Sequence, residues 1–327
     1  MANLKLKLAV ADYDRTRAIK DGIVKPKGID LDIVNLEVHE IFWRMLQYNE
    51  FDISEMSTSN YLTEKSTQNP RFIAMPVFLS RLFRHGYIFI NKKAGIKAPQ
   101  DLNGKRIGIP EYSMTALVWI RGILQHEYGV APSDVEWHMG GGEGARRAGR
   151  IKHGIPDDVR IHTVPEGKIL NNMLVSGEID AMLHADVPSC IWEKNPNVDR
   201  LFPNYREVEQ AYYRRTKIFP IMHSVVIKRE IYEANPWVAE SMYDAFVEAK
   251  KICQKEIEAN TGALLYMLPW TVAEYESTVS VMGEDYWAYG VEASRPTLEA
   301  LTQYAYEQGL ASRKFSPDEL FAPETYK

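Results

Sequence analysis

The chain has 327 residues, 45% of them hydrophobic, and 39 basic against 44 acidic side chains leave a formal charge of −5. That length suits two ordinary domains better than one, and the mildly acidic balance, with no Lys/Arg tract, excludes a surface built to wrap nucleic acid. No apolar run of the roughly 18 residues needed to span a membrane is present, and the N-terminus alternates apolar with charged residues where a secretory segment would be continuously apolar; a cytoplasmic protein is expected.

Leu4–Asp12 reads as a strand and Arg15–Val24 as a helix capped by Asp14. Ile29–Val38 alternates again, Glu40–Tyr48 places Ile41, Phe42, Met45 and Leu46 at helical spacing, and Phe51–Ile53 opens a third strand. This βαβαβ opening predicts an α/β protein with mainly parallel sheets flanked by helices. A second set follows a crossover strand at Tyr87–Asn91: a turn and short helix before the strand at Ile107–Ile109, a helix over Met114–Tyr128, and a strand near Val135–His138. Lys168–Ser176 is a predicted helix and Ile179–Leu183 a buried strand. Ser224–Lys228 returns the chain to the first lobe, and helices are expected over Pro236–Ile257, Thr271–Met282 and Arg295–Gln308. The lobes are accordingly drawn as 1–90, 91–222 and 223–327, the last with the C-terminal helices in the first lobe. Gly140–Gly154, with Arg146, Arg147 and Arg150, lacks the Gly-Lys-Ser/Thr ending of a phosphate loop and reads as a flexible surface insertion.

In open α/β sheets, ligands sit at the carboxyl ends of strands, beside helix N-termini. That rule selects Tyr13, Asp14 and Arg15 after the first strand, and Glu55, Ser57, Thr58 and Ser59 after the third. In the second lobe it selects Tyr112, Ser113 and Thr115, then His184, Asp186 and Ser189. Taken singly, each hydroxyl or carboxylate suits a helix cap equally well. Two segments deliver arginine and histidine to the start of a strand: Ser80–Gly86, with Arg81, Arg84 and His85, and Arg214–His223, with Arg215. Arginine offers a planar, permanently charged fork for carboxylates, and histidine moves protons near neutral pH. The pattern points to a small anionic ligand held beside a proton-transfer group. The eight histidines form no HxH or HExxH pair, and the two cysteines, Cys190 and Cys253, match no metal spacing. Metal-centred and covalent chemistry therefore lack a signature, while acid–base chemistry at His85 or His223 stays open.

Tyr13–Thr16, Glu55–Ser59, Ser80–Gly86, Trp119–Gly122, Leu174–Ala181, Tyr212–His223, Tyr266–Trp270, Tyr289–Glu292 and Arg295–Leu301 together resemble the 4,5-dihydroxyphthalate decarboxylases, cytoplasmic enzymes on the type 2 periplasmic-binding-protein fold. The resemblance covers nearly the whole chain and departs at Gly140–His162 and His184–Asp186. It implies two lobes with a ligand cleft between them, and loss of CO2 from a hydroxylated aromatic acid with neither organic cofactor nor metal. On that reading Arg15, Arg81, Arg84 and Arg215 clamp carboxylates, and Ser57, Ser59, Ser113 and Thr115 supply hydroxyl or helix-terminus contacts. His223 and His85 are the acid–base candidates, and Glu55 orients one of them or activates the phenol. The partner is a small aromatic carboxylate, with no nucleic acid and no membrane; homo-oligomerisation is left open. The rival reading is a solute-binding protein using the same clamp without turnover. A thiamine-pyrimidine-synthase-like enzyme is disfavoured by the lack of a cysteine-rich iron motif.

Overall fold

The computed structural model describes residues 2–144, 154–259, 264 and 267–326. It divides into two compact units, the first made of Met1–Arg81, Tyr213–Glu299 and Phe315–Lys327, the second of Leu82–Tyr212 and Ala300–Lys314. Among the described residues eleven strands follow in chain order: β1 (Leu4–Val10), β2 (Ile29–Asn35), β3 (Ile53–Ser57), β4 (Phe72–Arg81), β5 (Ile88–Asn91), β6 (Arg106–Ile109), β7 (Glu136–Met139), β8 (Arg160–Thr163), β9 (Ala181–Leu183), β10 (Val198–Arg200) and β11 (Ile221–Lys228).

The first unit carries a five-stranded sheet of order β2-β1-β3-β11-β4. β1, β2 and β3 run parallel, and β11 lies antiparallel between β3 and β4. All five residues of the central strand β3 are buried, as expected of a strand covered on both faces, and β4, last in the sheet order, also buries nine of its ten. The helix Val38–Tyr48 buries Ile41, Phe42, Met45 and Leu46 along one stripe. The Glu37 carboxylate caps it by accepting the His39 and Glu40 N–H groups, and Asn49, at φ 51°, ends it. The expected helix at Arg15–Val24 is shorter. Tyr13 is its extended N-cap residue, a 3-10 turn spans Asp14–Thr16, and α-helix covers only Arg17–Lys20.

The second unit has a six-stranded sheet of order β10-β5-β9-β6-β7-β8. Ala300–Lys314 joins this unit, where the sequence placed the C-terminal helices in the first lobe. The reason is the buried Arg121. Its Nε donates to Gln308 Oε1 at 2.8 Å and its Nη2 to the Tyr112 carbonyl at 2.6 Å, while Gln308 Nε2 donates to the Val118 carbonyl at 3.0 Å. The Trp119 and Tyr304 rings meet edge-on at 5.5 Å. Gly122 allows this approach, because a Cβ there would run into the Tyr304 ring. Gly122→Ala is expected to destabilise the protein by about 1–3 kcal/mol through overpacking, read as a lower unfolding midpoint; Gly122→Ala with Tyr304→Leu should recover part of the loss.

Gly140–Gly142 also differ from expectation. They are built into the second unit rather than looped out: a Cβ on Gly140 would lie 2.6 Å from Val164, and the Gly141 and Gly142 carbonyls accept the Leu170 and Asn171 N–H groups at 2.8 and 3.1 Å. Arg146, Arg147 and Arg150 lie outside the described residues. Among the described residues, no helix is long and apolar enough to cross a membrane.

Candidate active site

In the first unit the chain goes from β1 outward to β2, then back past β1 to β3. Crossovers on opposite sides leave a crevice at the carboxyl ends of β1 and β3, the usual ligand position in open α/β sheets. β11 enters antiparallel beside β3, so its N-terminal end meets the C-terminal end of β3: His223 pairs with Ser57, and Val225 with Glu55. The strand register against β4 shifts on both sides of His223. Such an irregularity re-aims a side chain out of the regular pleat.

Glu55 is fully buried and collects three donors. Its Oε1 accepts the Tyr13 hydroxyl at 2.7 Å and His223 Nδ1 at 2.6 Å, and its Oε2 accepts the Ala11 N–H at 3.2 Å. Burial pushes the carboxyl up, but the His223 hydrogen bond and charge, the Tyr13 hydroxyl and the Ala11 amide outweigh it and hold Glu55 below the usual carboxylate range. Tyr13 is driven the other way, by burial and by the adjacent Glu55 charge, so its phenol stays protonated. An ionised carboxylate only accepts. Nδ1 of His223 therefore carries the hydrogen, and Nε2 is the nitrogen left for chemistry. Phe42, from the helix Val38–Tyr48, meets the imidazole edge-on at 4.8 Å and fixes its plane.

Two hydroxyl pairs lie at the same strand ends. Ser57 Oγ lies 3.2 Å from Ser59 Oγ, and Thr58 Oγ1 lies 3.1 Å from Ser224 Oγ; all four residues are buried. The helix Thr58–Lys65 starts here, so its first-turn N–H groups and positive dipole end are beside the carboxyl end of β3. Arg15 stands next to Tyr13. Its guanidinium is sandwiched between the Tyr13 and Trp287 rings, 4.1 and 4.4 Å from their centroids. Nε donates to the Leu79 carbonyl at 2.7 Å, and Nη1 meets Asp14 at 3.0 Å.

The structure thus brings Arg15, Glu55, Ser57, Ser59 and His223 together in one unit. Arg81 belongs to the same unit but is turned into its core, with Nε and Nη2 on the Phe219 carbonyl at 3.3 and 3.1 Å and Nη1 on the Ala288 carbonyl at 2.7 Å. Burial lowers it to about 10. Arg215 lies in the last turn of the helix Tyr205–Thr216, exposed, and not at the mouth of a strand. Arg84, His85, Ser113 and Thr115 belong to the second unit. There the buried Arg84 donates to the Ala185 carbonyl at 2.8 Å. The His85 ring, on a residue only 1% exposed, is walled by Tyr128, Phe202 and Tyr212. Ser113 Oγ donates to Glu111 at 2.7 Å, and Thr115 opens the helix Thr115–Tyr128. Both cysteines are buried and unbridged, with thiols pushed up by burial to about 11 at Cys190 and about 12 at Cys253, which disfavours a thiolate nucleophile. Among the described residues, no group of three or more His, Cys, Asp or Glu side chains is placed to hold a metal ion.

Glu209 in the second unit was not anticipated from sequence. It accepts the Gly86 N–H at 3.1 Å, and burial raises it to about 7 against that bond, the His85 N–H and the Arg84 charge. A raised carboxyl binds its proton more readily in the folded state, so stability falls as pH rises from the ordinary carboxylate range through about 7. Glu209→Gln should flatten that decline and leave the variant more stable than the parent at pH about 8, as measured by denaturant unfolding at several pH values.

Comparison with known proteins adds four findings. The NMT1/THI5-like family model matches residues 17–147. A 4,5-dihydroxyphthalate decarboxylase of Comamonas testosteroni is 36% identical over 323 residues, 99% of this chain and 98% of that protein. One of Pseudomonas putida is 39% identical over 214 residues, 65% of this chain and 83% of its own. Among solved structures, the periplasmic sulfonate-binding protein SsuA of Methylobacillus flagellatus KT superposes with a TM-score of 0.58 over 98% of this chain and 92% of its own. At 13% identity that likeness concerns the fold alone.

Proposed function

Because the chain belongs to the 4,5-dihydroxyphthalate decarboxylase family, we propose that it is a carboxy-lyase converting 4,5-dihydroxyphthalate to protocatechuate and CO2. The observation that carries the chemistry is the buried Glu55 carboxylate fixing His223 through Nδ1 at 2.6 Å, at the carboxyl end of β3. An aromatic carboxyl group leaves slowly because the electron pair of the breaking bond is orthogonal to the ring π system. A phenolate para to it removes the obstacle. His223 Nε2–H gives its proton to the carboxyl-bearing ring carbon, while the para phenolate becomes a carbonyl and the ring a cyclohexadienone. The C–C bond then breaks, its electron pair restoring the aromatic ring and the phenolate, and CO2 departs. The imidazole recovers its proton from solvent, so one proton is consumed for each CO2 released.

Glu55 orients His223 through Nδ1 and is the carboxylate paired with its ring. Its burial and three donors keep it from the phenol itself. Ser57, Ser59 and the first turn of the helix Thr58–Lys65 are the groups we assign to the spectator carboxylate, by hydroxyl and helix-terminus N–H donation. Arg15, whose guanidinium is already held by the Leu79 carbonyl and Asp14, adds positive charge beside them rather than an open fork. Arg81, engaged with backbone carbonyls, holds the shape of the first unit.

The para requirement gives the test. With 4-hydroxyphthalate, only one carboxyl has a para hydroxyl, so the expected product is 3-hydroxybenzoate; unsubstituted phthalate should be inert. Appearance of 4-hydroxybenzoate, or turnover of phthalate, overturns the ring-protonation scheme. Saturable binding of all three acids without CO2 supports a solute-binding protein instead.

A further inference from the structure

Glu55 Oε1 has two claimants, and Tyr13 is the one to which sequence alone assigned no role. Its hydroxyl, 2.7 Å from Oε1, and His223 Nδ1, 2.6 Å away, donate to the same oxygen. Two donors on one carboxylate oxygen share its basicity, so each weakens the hold on the other. Resting on the assignment of His223 as proton donor, we infer that Tyr13 is a positioning residue that sets the pH range over which His223 works, by taking part of the Glu55 carboxylate for its own hydroxyl.

The surroundings make this a separable device. Around His223 the adjoining positions on β3 and β4 are the uncharged Ser57 and Ser80, and the side chain packed on its ring is Phe42, with His39 one ring further at 6.4 Å from Phe42. Glu55 is the ionised group in direct contact with the imidazole. Tyr13 in turn feels Glu55, Arg15 and Glu37. The Tyr13 ring also stacks on the Arg15 guanidinium at 4.1 Å, a contact that needs the ring and not the hydroxyl. Tyr13→Phe therefore removes the competing donor and keeps the stack.

The sign follows from the geometry. Without the Tyr13 hydroxyl, all of Oε1 serves Nδ1–H and the imidazolium is better stabilised. A step that needs the imidazolium loses rate as pH rises, so the alkaline limb of the pH–rate profile should move upward. A shift of roughly 0.5–1 pH unit is expected for the redistribution of one hydrogen bond to a charged group. A fluorotyrosine at position 13, a stronger donor than tyrosine, should move the limb the opposite way.

The experiment pairs that profile with a nitrogen-15 NMR titration of the His223 ring in the ligand-free protein, which needs no turnover. The inference is supported when Tyr13→Phe raises the His223 midpoint and moves the alkaline limb with it, while fluorotyrosine lowers both. It is overturned when the midpoint stays in place in both variants, as a purely structural Tyr13 requires. A midpoint that moves without the limb also overturns it, and locates the failure in the choice of His223 as proton donor, not in the shared carboxylate.

Discussion

His223→Asn should lower kcat by roughly 10²–10⁴-fold, the contribution of one positioned acid–base group, and leave binding of 4,5-dihydroxyphthalate within a few-fold. Asparagine is the informative replacement because its amide nitrogen stands near the position of Nδ1 and keeps a donor on Glu55. His223→Ala would strip that donor from a fully buried carboxylate, which typically costs several kcal/mol and confuses catalysis with folding. The check is steady-state turnover alongside calorimetric binding. Near-normal kcat in the asparagine variant would remove His223 from the reaction.

The second large effect is at Glu55. Glu55→Gln keeps the shape but offers one acceptor oxygen and an N–H2 group to three donors: Ala11 N–H, Tyr13 hydroxyl and His223 Nδ1–H. The amide can satisfy His223 by donating to it, which moves the hydrogen to Nε2 and leaves a neutral ring in the wrong tautomer. Loss of kcat of ~10³–10⁴ is expected, the scale found when a carboxylate that orients a catalytic histidine becomes an amide. The stability signature is distinct. A carboxyl held below its ordinary value contributes stability that is present above the ordinary carboxylate range and lost as pH falls through its folded pKa. Glu55→Gln should therefore be less stable than the parent at neutral pH and lose less on acidification. Unfolding midpoints at pH about 7 and about 4 read this directly. A parallel decline in both proteins would show that Glu55 is not the ionised, hydrogen-bonded group described here.

Much of this architecture is legible in the sequence where periodicity is clean. The helix at Thr271–Met282 lies where its spacing places it, and the Ile41, Phe42, Met45, Leu46 stripe marks the helix Val38–Tyr48. What the sequence hides are elements whose burial is polar or nearly absent. The helix Thr58–Lys65 buries Thr58, Ser59, Asn60, Thr63 and Glu64 beside Tyr61 and Leu62, so its opening hydroxyls read equally as a ligand loop or a helix cap. The helix Tyr205–Thr216 buries only Tyr212, so in sequence Arg214 and Arg215 read as the mouth of the following strand. β4, nearly all buried, carries no alternation to distinguish it from a core helix.

The site was half visible for a related reason. Carboxyl-end residues of β1 and β3 follow from strand order, and a histidine entering a strand is a local feature. Their meeting depends on β11 inserting antiparallel beside β3, which is a long-range pairing. The two arginine–histidine segments looked equivalent in sequence. In the structure the boundary between units falls inside the first, after Arg81, and His223 in the second rests on the buried Glu55 carboxylate. In sequence Tyr13 is only a strand-end residue; its bond to Glu55 spans 42 positions and leaves no short-range signal.

The most direct test of the central claim is to incubate the purified protein with 4,5-dihydroxyphthalate, quantify CO2, and identify the aromatic product, for the parent and for His223→Asn. Equal amounts of CO2 and protocatechuate from the parent, with the variant still binding but nearly silent, are the result expected. Saturable binding by both proteins with no CO2 from either would contradict the enzyme reading.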